Sequence, residues 1–203
     1  MARPKGFERE EVLDRAVTVF WEKGFEAASI QDLVDAMGIQ RGSLYAAFGS
    51  KQEMFLAALD RYGEVVVEQL LQSLQQGPSP VAAVQGFFEK LIGQIVGEGP
   101  WRGCLLTNSA VELGLRDPKT RAKVRRWLER IEAAFRETLE GARAEGELHQ
   151  DCNTQNLAAF LVTLLQGLLV TGRIRPQREY LAGIVETALI TLEQADNHRA
   201  RVP

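Results

Sequence analysis

Residues Ser29–Lys51 read SIQDLVDAMGIQRGSLYAAFGSK, and the fold of the chain is decided there. Ser29 and Asp32 have the spacing of a capping box: a hydroxyl for the free N–H groups of a starting helix, and a carboxylate that answers the cap's own N–H. Leu33, Val34 and Met37 give that helix one apolar face. Gly38 stops it, because glycine accepts the left-handed backbone that a helix end often requires. Ile39 turns back to the core, and a second helix follows from about Arg41 to Phe48. Leu44, Ala47 and Phe48 face inward on it, while Arg41, Gly42, Ser43 and Tyr45 are small or polar where they face out. A helix, a glycine-containing turn and a second helix with a slim polar start make the helix-turn-helix pattern, whose second helix enters a DNA major groove.

Upstream of this stretch, Val12, Leu13, Ala16, Val17, Phe20 and Trp21 recur at helical spacing and predict an amphipathic helix over Glu8–Lys23, ended by Gly24. Met1–Phe7 reads as a loose arm, either disordered or carrying Arg3 and Lys5 to a phosphate or the minor groove. Downstream, Ser50 and Glu53 have capping-box spacing for a long helix reaching about Gln76, with Met54, Phe55, Ala58, Leu59, Tyr62, Val66 and Leu70 on one face. Lys51 lies in its first turn, either solvated or bound to a phosphate oxygen.

Gly77-Pro78-Ser79-Pro80 is the clearest break, with Ser79 as cap and Pro80 preset for a first helical turn. Beyond it, Val81, Val84, Phe88, Leu91, Ile92 and Ile95 mark one helix, and Cys104–Leu115 another. Asp117-Pro118 opens a helix carrying Val124, Trp127, Leu128, Ile131, Phe135 and Leu139. One more begins at Asn153 or Thr154 with Leu157, Leu161, Leu164, Leu165 and Leu168, and the last follows Pro176 with Leu181, Ile184, Val185, Ala188, Leu189 and Leu192. No segment alternates with period two, so the expected fold class is all-α. The last two helices are apolar around much of their circumference, which predicts a subunit seam in which they pair with their copies as a four-helix bundle.

The chain has 203 residues, 45% of them hydrophobic and 25% charged, an ordinary balance for a soluble protein. Its most apolar run, Leu157–Val170, reads as too short to span a bilayer and as a buried helix. Two cysteines, Cys104 and Cys152, make no disulfide framework and point to a reducing cytoplasm. The formal net charge of −3 argues mildly against nucleic acid as a partner and indicates no broad basic surface, so DNA contact is expected to be local and salt-sensitive. An enzyme lacks its parts: the histidines are His149 and His198 only, and no HExxH, GxSxG, phosphate loop or metal-spaced Cys/His cluster occurs. No cofactor or metal is expected.

The segment GFEAASIQDLVDAMGIQRGSLYAAFGSKQEMF resembles the N-terminal domain of the TetR family of bacterial transcriptional repressors. Gly38-Ile39, Arg41-Gly42-Ser43, Leu44-Tyr45, Phe48 and Ser50-Lys51 match that family's signature position by position. Gln40 and Ala46–Ala47 depart from it, which bears on the DNA sequence read. The resemblance implies a helix-turn-helix domain over residues 1–50, a helical ligand-binding and dimerisation domain over 51–195 and a polar tail over 196–203. It implies a homodimer on a palindromic operator, contacting double-stranded DNA through Ser29, Gln40, Arg41, Gly42, Ser43, Tyr45 and Lys51.

It also implies a small-molecule effector held among the middle helices. Those supply Phe87, Phe88, Trp101, Leu105, Asn108, Trp127, Ile131 and Phe135, a lining suited to a lipophilic or aromatic ligand, although each of these residues also reads as core. Cys104 carries two readings: a reactive thiol at a helix start near Arg102, able to sense electrophiles or oxidants, or an inert buried cysteine. A reading from another class, a helical ligand- or protein-binding module without DNA binding, is opposed by the intact Arg41–Lys51 chemistry.

Overall fold

The computed structural model describes residues 9–99 and 101–194. The arm residues Arg3 and Lys5, Glu8, and the tail with His198 lie outside them. Every regular element among the described residues is helical. The chain forms two compact units: residues through Val66 with Cys104–Arg125, and Val67–Gly103 with Arg126 onward. The chain crosses between the units after Val66, after Gly103 and after Arg125.

In the first unit, α1 (Arg9–Ala27) buries Val12, Ala16, Val17 and Phe20 and packs on α2 (Ile30–Met37) and α4 (Lys51–Tyr62). Arg61 of α4 grips Asp14 of α1 at 2.7 Å and Glu10 at 3.2 Å. The expected end of α1 at Gly24 is corrected: the helix kinks there at φ 77°, ψ 179° and takes a further turn to Ala27. The capping box forms as the spacing requires, with Asp32 N–H donating to Ser29 Oγ at 3.0 Å and Ser29 N–H to Asp32 Oδ2 at 2.8 Å. Gly38 ends α2 in the left-handed region at φ 67°.

After α3 (Arg41–Phe48), Ser50 caps α4 by accepting from Glu53 N–H. The Glu53 carboxylate goes instead to Lys119, 2.7 Å away. α7 (Leu105–Leu113) packs on α1 and α4, so a helix expected to serve the ligand domain helps build the DNA-reading unit.

The long helix expected from Ser50 to Gln76 is interrupted. After Tyr62 the backbone passes through a π-helical segment, Gly63–Val67, then a short α5 (Glu68–Leu71) and a 3₁₀ turn, Gln72–Gln75. A π segment inserts an extra residue into the helical repeat and rotates everything after it. Val67, Leu71 and Leu74 are consequently buried, where an unbroken stripe would have buried Val66 and Leu70.

In the second unit, Ser79 caps α6 (Pro80–Ile95) by accepting from Ala82 N–H at 3.3 Å. α6 packs on the 3₁₀ turn, α5 and α10 (Arg178–Gln194). With α8 (Pro118–Ala144), which begins in the first unit, it builds an aromatic centre of Phe87, Phe88 and Phe135, all without exposed surface. Their rings meet edge to face at 4.9 and 5.2 Å and stack at 5.9 Å, which fills the space between the helices. α9 (Thr154–Thr171) is capped by Asn153 and buries Leu161, Leu165 and Leu168. At 18 residues without a charge, α9 is long and apolar enough to cross a membrane by length and composition, which corrects the expectation that it is too short. It is buried only in part: Phe160 is 41% exposed and Val170 52%.

Candidate nucleic-acid interface

The inner side of α3 is fixed by Leu44 and Phe48, both buried in the first unit. Helical geometry then turns Arg41, Gly42, Ser43, Tyr45 and Ala46 outward, and all five are exposed. Gln40 stands at the N-cap, exposed, without a side-chain bond to the helix. The Gln40 side chain therefore leaves the opening N–H groups of α3 uncapped, as groups that contact an anion must be. The Arg41 guanidinium lies 5.8 Å from the centre of the Tyr45 ring one turn on, which orders both side chains on this face. Around Gly42, a Cβ would meet nothing within 4 Å. The space beside its backbone belongs to no part of the described chain and is open to a partner.

The other two candidates are already engaged. Ser29 is exposed, but its hydroxyl holds the start of α2. The Asp32 carboxyl opposite is brought down to about 2 by its hydrogen bond to Lys23, together with the Ser29 N–H and hydroxyl. Lys51 is half-buried; its ammonium lies 4.5 Å from the centre of the Phe25 ring and 3.5 Å from the Glu26 carbonyl. Its ammonium is thus seated on the Phe25–Glu26 segment.

The candidate effector residues divide between the two units. Leu105 and Asn108 belong to the first unit, and Phe87, Phe88, Trp101, Trp127, Ile131 and Phe135 to the second. The Trp101 indole N–H donates to the Leu169 carbonyl at 3.4 Å. Trp127 is 8% exposed, and its indole N–H has no hydrogen-bond partner among the described residues. An open cleft of about 370 Å³ in the second unit lies elsewhere, between the Gln75–Pro80 turn and α8, with Leu71, Leu74, Ala83 and Ala134 on its floor and Glu68, Arg130 and Glu137 on its walls.

Cys104 stands at the N-cap of α7, as expected, but buried. The Tyr62 hydroxyl hydrogen-bonds its thiol and accepts from the Leu105 N–H, so a residue of α4 takes over the capping that cysteine does not supply. Burial, then the neighbouring thiol, hold the Tyr62 phenol well above its ordinary range. Cys152 is half-buried in the turn before α9.

Sequence reasoning assigned nothing to Glu112 of α7. Its two carboxylate oxygens accept the N–H groups of Phe25, at 3.0 Å, and Glu26, at 2.8 Å, immediately after the Gly24 kink. No local pattern marks a partner 87 residues away.

A helix-turn-helix with an open, ordered reading face on an all-helical body defines a DNA-binding regulator. Residues 12–58 match the family model for bacterial regulatory proteins of the tetR family, and residues 80–188 the model for the tetracyclin repressor-like C-terminal domain. The chain is 30% identical to the uncharacterized HTH-type transcriptional regulator YezE of Bacillus subtilis over 95% of this chain and 100% of that one. It is 31% identical to the HTH-type transcriptional repressor ComR of Escherichia coli, over 92% and 90%. Among solved structures it is similar to a cysteine mutant of the TetR family regulator CifR complexed with 26-base-pair operator DNA, at 34% identity and TM-score 0.81 over 93% of this chain and 98% of that one. The chain belongs to the TetR family and is a DNA-binding transcriptional repressor of that kind.

Proposed function

We propose that the protein is a cytoplasmic homodimer that represses transcription by laying two copies of α3 in the grooves of a palindromic operator. The observation that carries this reading is the outward face of α3, where Arg41, Ser43 and Tyr45 are exposed and the space beside Gly42 is open. Arg41 grips a guanine edge or a phosphate, and the Ser43 and Tyr45 hydroxyls anchor phosphates. Gln40 and Gly42 border the groove, and Ser29 holds α2 across the backbone. Lys51 contributes a phosphate contact from its seat on Phe25. A gel shift with the intergenic DNA upstream of its own gene tests the reading. Tyr45→Ala is expected to abolish the shifted band while the protein elutes at an unchanged size; binding equal to wild type would refute the placement of α3.

The effector we infer is a lipophilic or aromatic molecule carrying a hydrogen-bond acceptor. The support is Trp127, a buried donor without a partner among the described residues, which favours a ligand that supplies the missing partner. The effector need only bind the released state better than the operator-bound state, and about 5.5 kcal/mol of difference moves the population from 1:99 to 99:1. Compounds found by a thermal-shift screen and confirmed by operator release are expected to bind Trp127→Phe about tenfold more weakly, the cost of one lost hydrogen bond. Unchanged affinity would remove Trp127 from the effector site. The buried thiol beneath Tyr62 favours a structural role for Cys104 over a sensing one.

A further inference from the structure

The geometry points to Glu112 as a positioning residue for operator binding, acting through the Phe25–Glu26 backbone on Lys51; this rests on the phosphate-contact reading of Lys51 above. Both carboxylate oxygens of Glu112 are committed to two consecutive backbone N–H groups, at 3.0 and 2.8 Å, in a region where α1 has just kinked. A carboxylate accepting two backbone N–H bonds is a strong, directional clamp. Gly24 is fitted to it twice over: its φ of 77° suits glycine, and a Cβ there would come within 2.8 Å of Glu112 Oε2.

The clamped segment is the one on which Lys51 sits. The ammonium rests 4.5 Å from the centre of the Phe25 ring and 3.5 Å from the Glu26 carbonyl. Lys51 opens α4 directly behind the Ser50 cap, one turn of chain from the end of α3. Holding Phe25 and Glu26 from the α7 side therefore holds the seat of a cation beside the reading helix. Without the clamp, the final turn of α1 loses its acceptors and the ring beneath Lys51 is no longer fixed. α7 thereby gains a direct hand on a DNA-contacting group, by way of one side chain.

The test uses the full-length protein and a duplex enriched by the wild-type protein from a random-sequence pool. Operator affinity is measured across a series of salt concentrations for wild type, Lys51→Met, Glu112→Gln and the double variant, with Phe25→Leu as a second route that leaves the clamp intact. Removing one phosphate contact lowers the slope of log affinity against log salt by about 1. The expected result is that Lys51→Met, Glu112→Gln and Phe25→Leu each lower the slope by about that amount, and that the double variant is no lower than either single one. A merely structural role for Glu112 would reduce the melting temperature and leave the slope alone.

An unchanged slope in Lys51→Met would overturn the Lys51 reading and this inference with it. A lowered slope in Lys51→Met alone, or additive losses in the double variant, would overturn the positioning role while sparing the phosphate contact. If Glu112→Gln does not fold, Phe25→Leu decides: a wild-type slope there sinks the inference.

Discussion

Gly42 separates folding from function at a single residue. Nothing in the described chain lies within 4 Å of where its Cβ would be, and the residue sits inside a regular helix. Alanine at such a position stabilises a helix by about 0.5–1 kcal/mol, because glycine loses more backbone freedom on folding. Gly42→Ala is therefore expected to melt at an equal or higher temperature than wild type while binding the operator more weakly, the methyl group standing where DNA backbone must come close. A variant that melts lower, or binds as tightly, would contradict this account of the open space. Features like this were legible in the sequence because their causes are local. Ser29 with Asp32, Gly38, Ser50 and Ser79 each act within four residues of their own position. Glu112, and Tyr62 over the start of α7, were not, because each serves backbone brought near only by the tertiary fold.

Among the elements, the break after Tyr62 is the departure with most consequence. The sequence Met54, Phe55, Ala58, Leu59, Tyr62, Val66, Leu70 keeps helical spacing through the π segment, so periodicity alone gives no sign of it. What settles the register is burial at tertiary contacts, where Val67 is 7% exposed, Leu71 5% and Val66 only half-buried. The expected outcome is that Val67→Ala lowers unfolding free energy by about 1.5 kcal/mol, the transfer value of two buried carbons, and that Val66→Ala costs clearly less. Urea melts with unchanged m-values check this, and the reverse order would restore an uninterrupted helix. The kink in α1 has the same moral: Gly24 was read as a terminus from its residue type, but the helix resumes because Glu112 supplies acceptors for the N–H groups the kink exposes.

At the scale of the whole molecule, the protomer leaves apolar surface uncovered on its last two helices. Phe160 is 41% exposed, Val170 52% and Ile190 50%, and α9 carries no charge along its 18 residues. We propose that a second copy covers these faces, in line with the apolar character of the two helices. Phe160→Glu is expected to shift the protein to monomer size in sedimentation velocity and to lower operator affinity at least tenfold, since a lone protomer engages one half-site. A variant that remains dimeric would move the seam elsewhere. The all-α architecture and the helix-turn-helix were thus legible from pattern, while the effector site was not. The aromatic residues that suggested a lining are, in Phe87, Phe88 and Phe135, a filled core, and periodicity cannot tell a wall from a filling.

The exposed side of α3 stands apart from the residues that anchor it: Leu44 and Phe48 are buried on its inner side. Duplicated copies of such a gene are consequently free to drift at Gln40, Arg41, Gly42, Ser43, Tyr45 and Ala46 without losing a folded, paired product. New targets arise by substitution on a surface that selection for folding does not police, and a lineage of regulators diversifies there while its scaffold stays put.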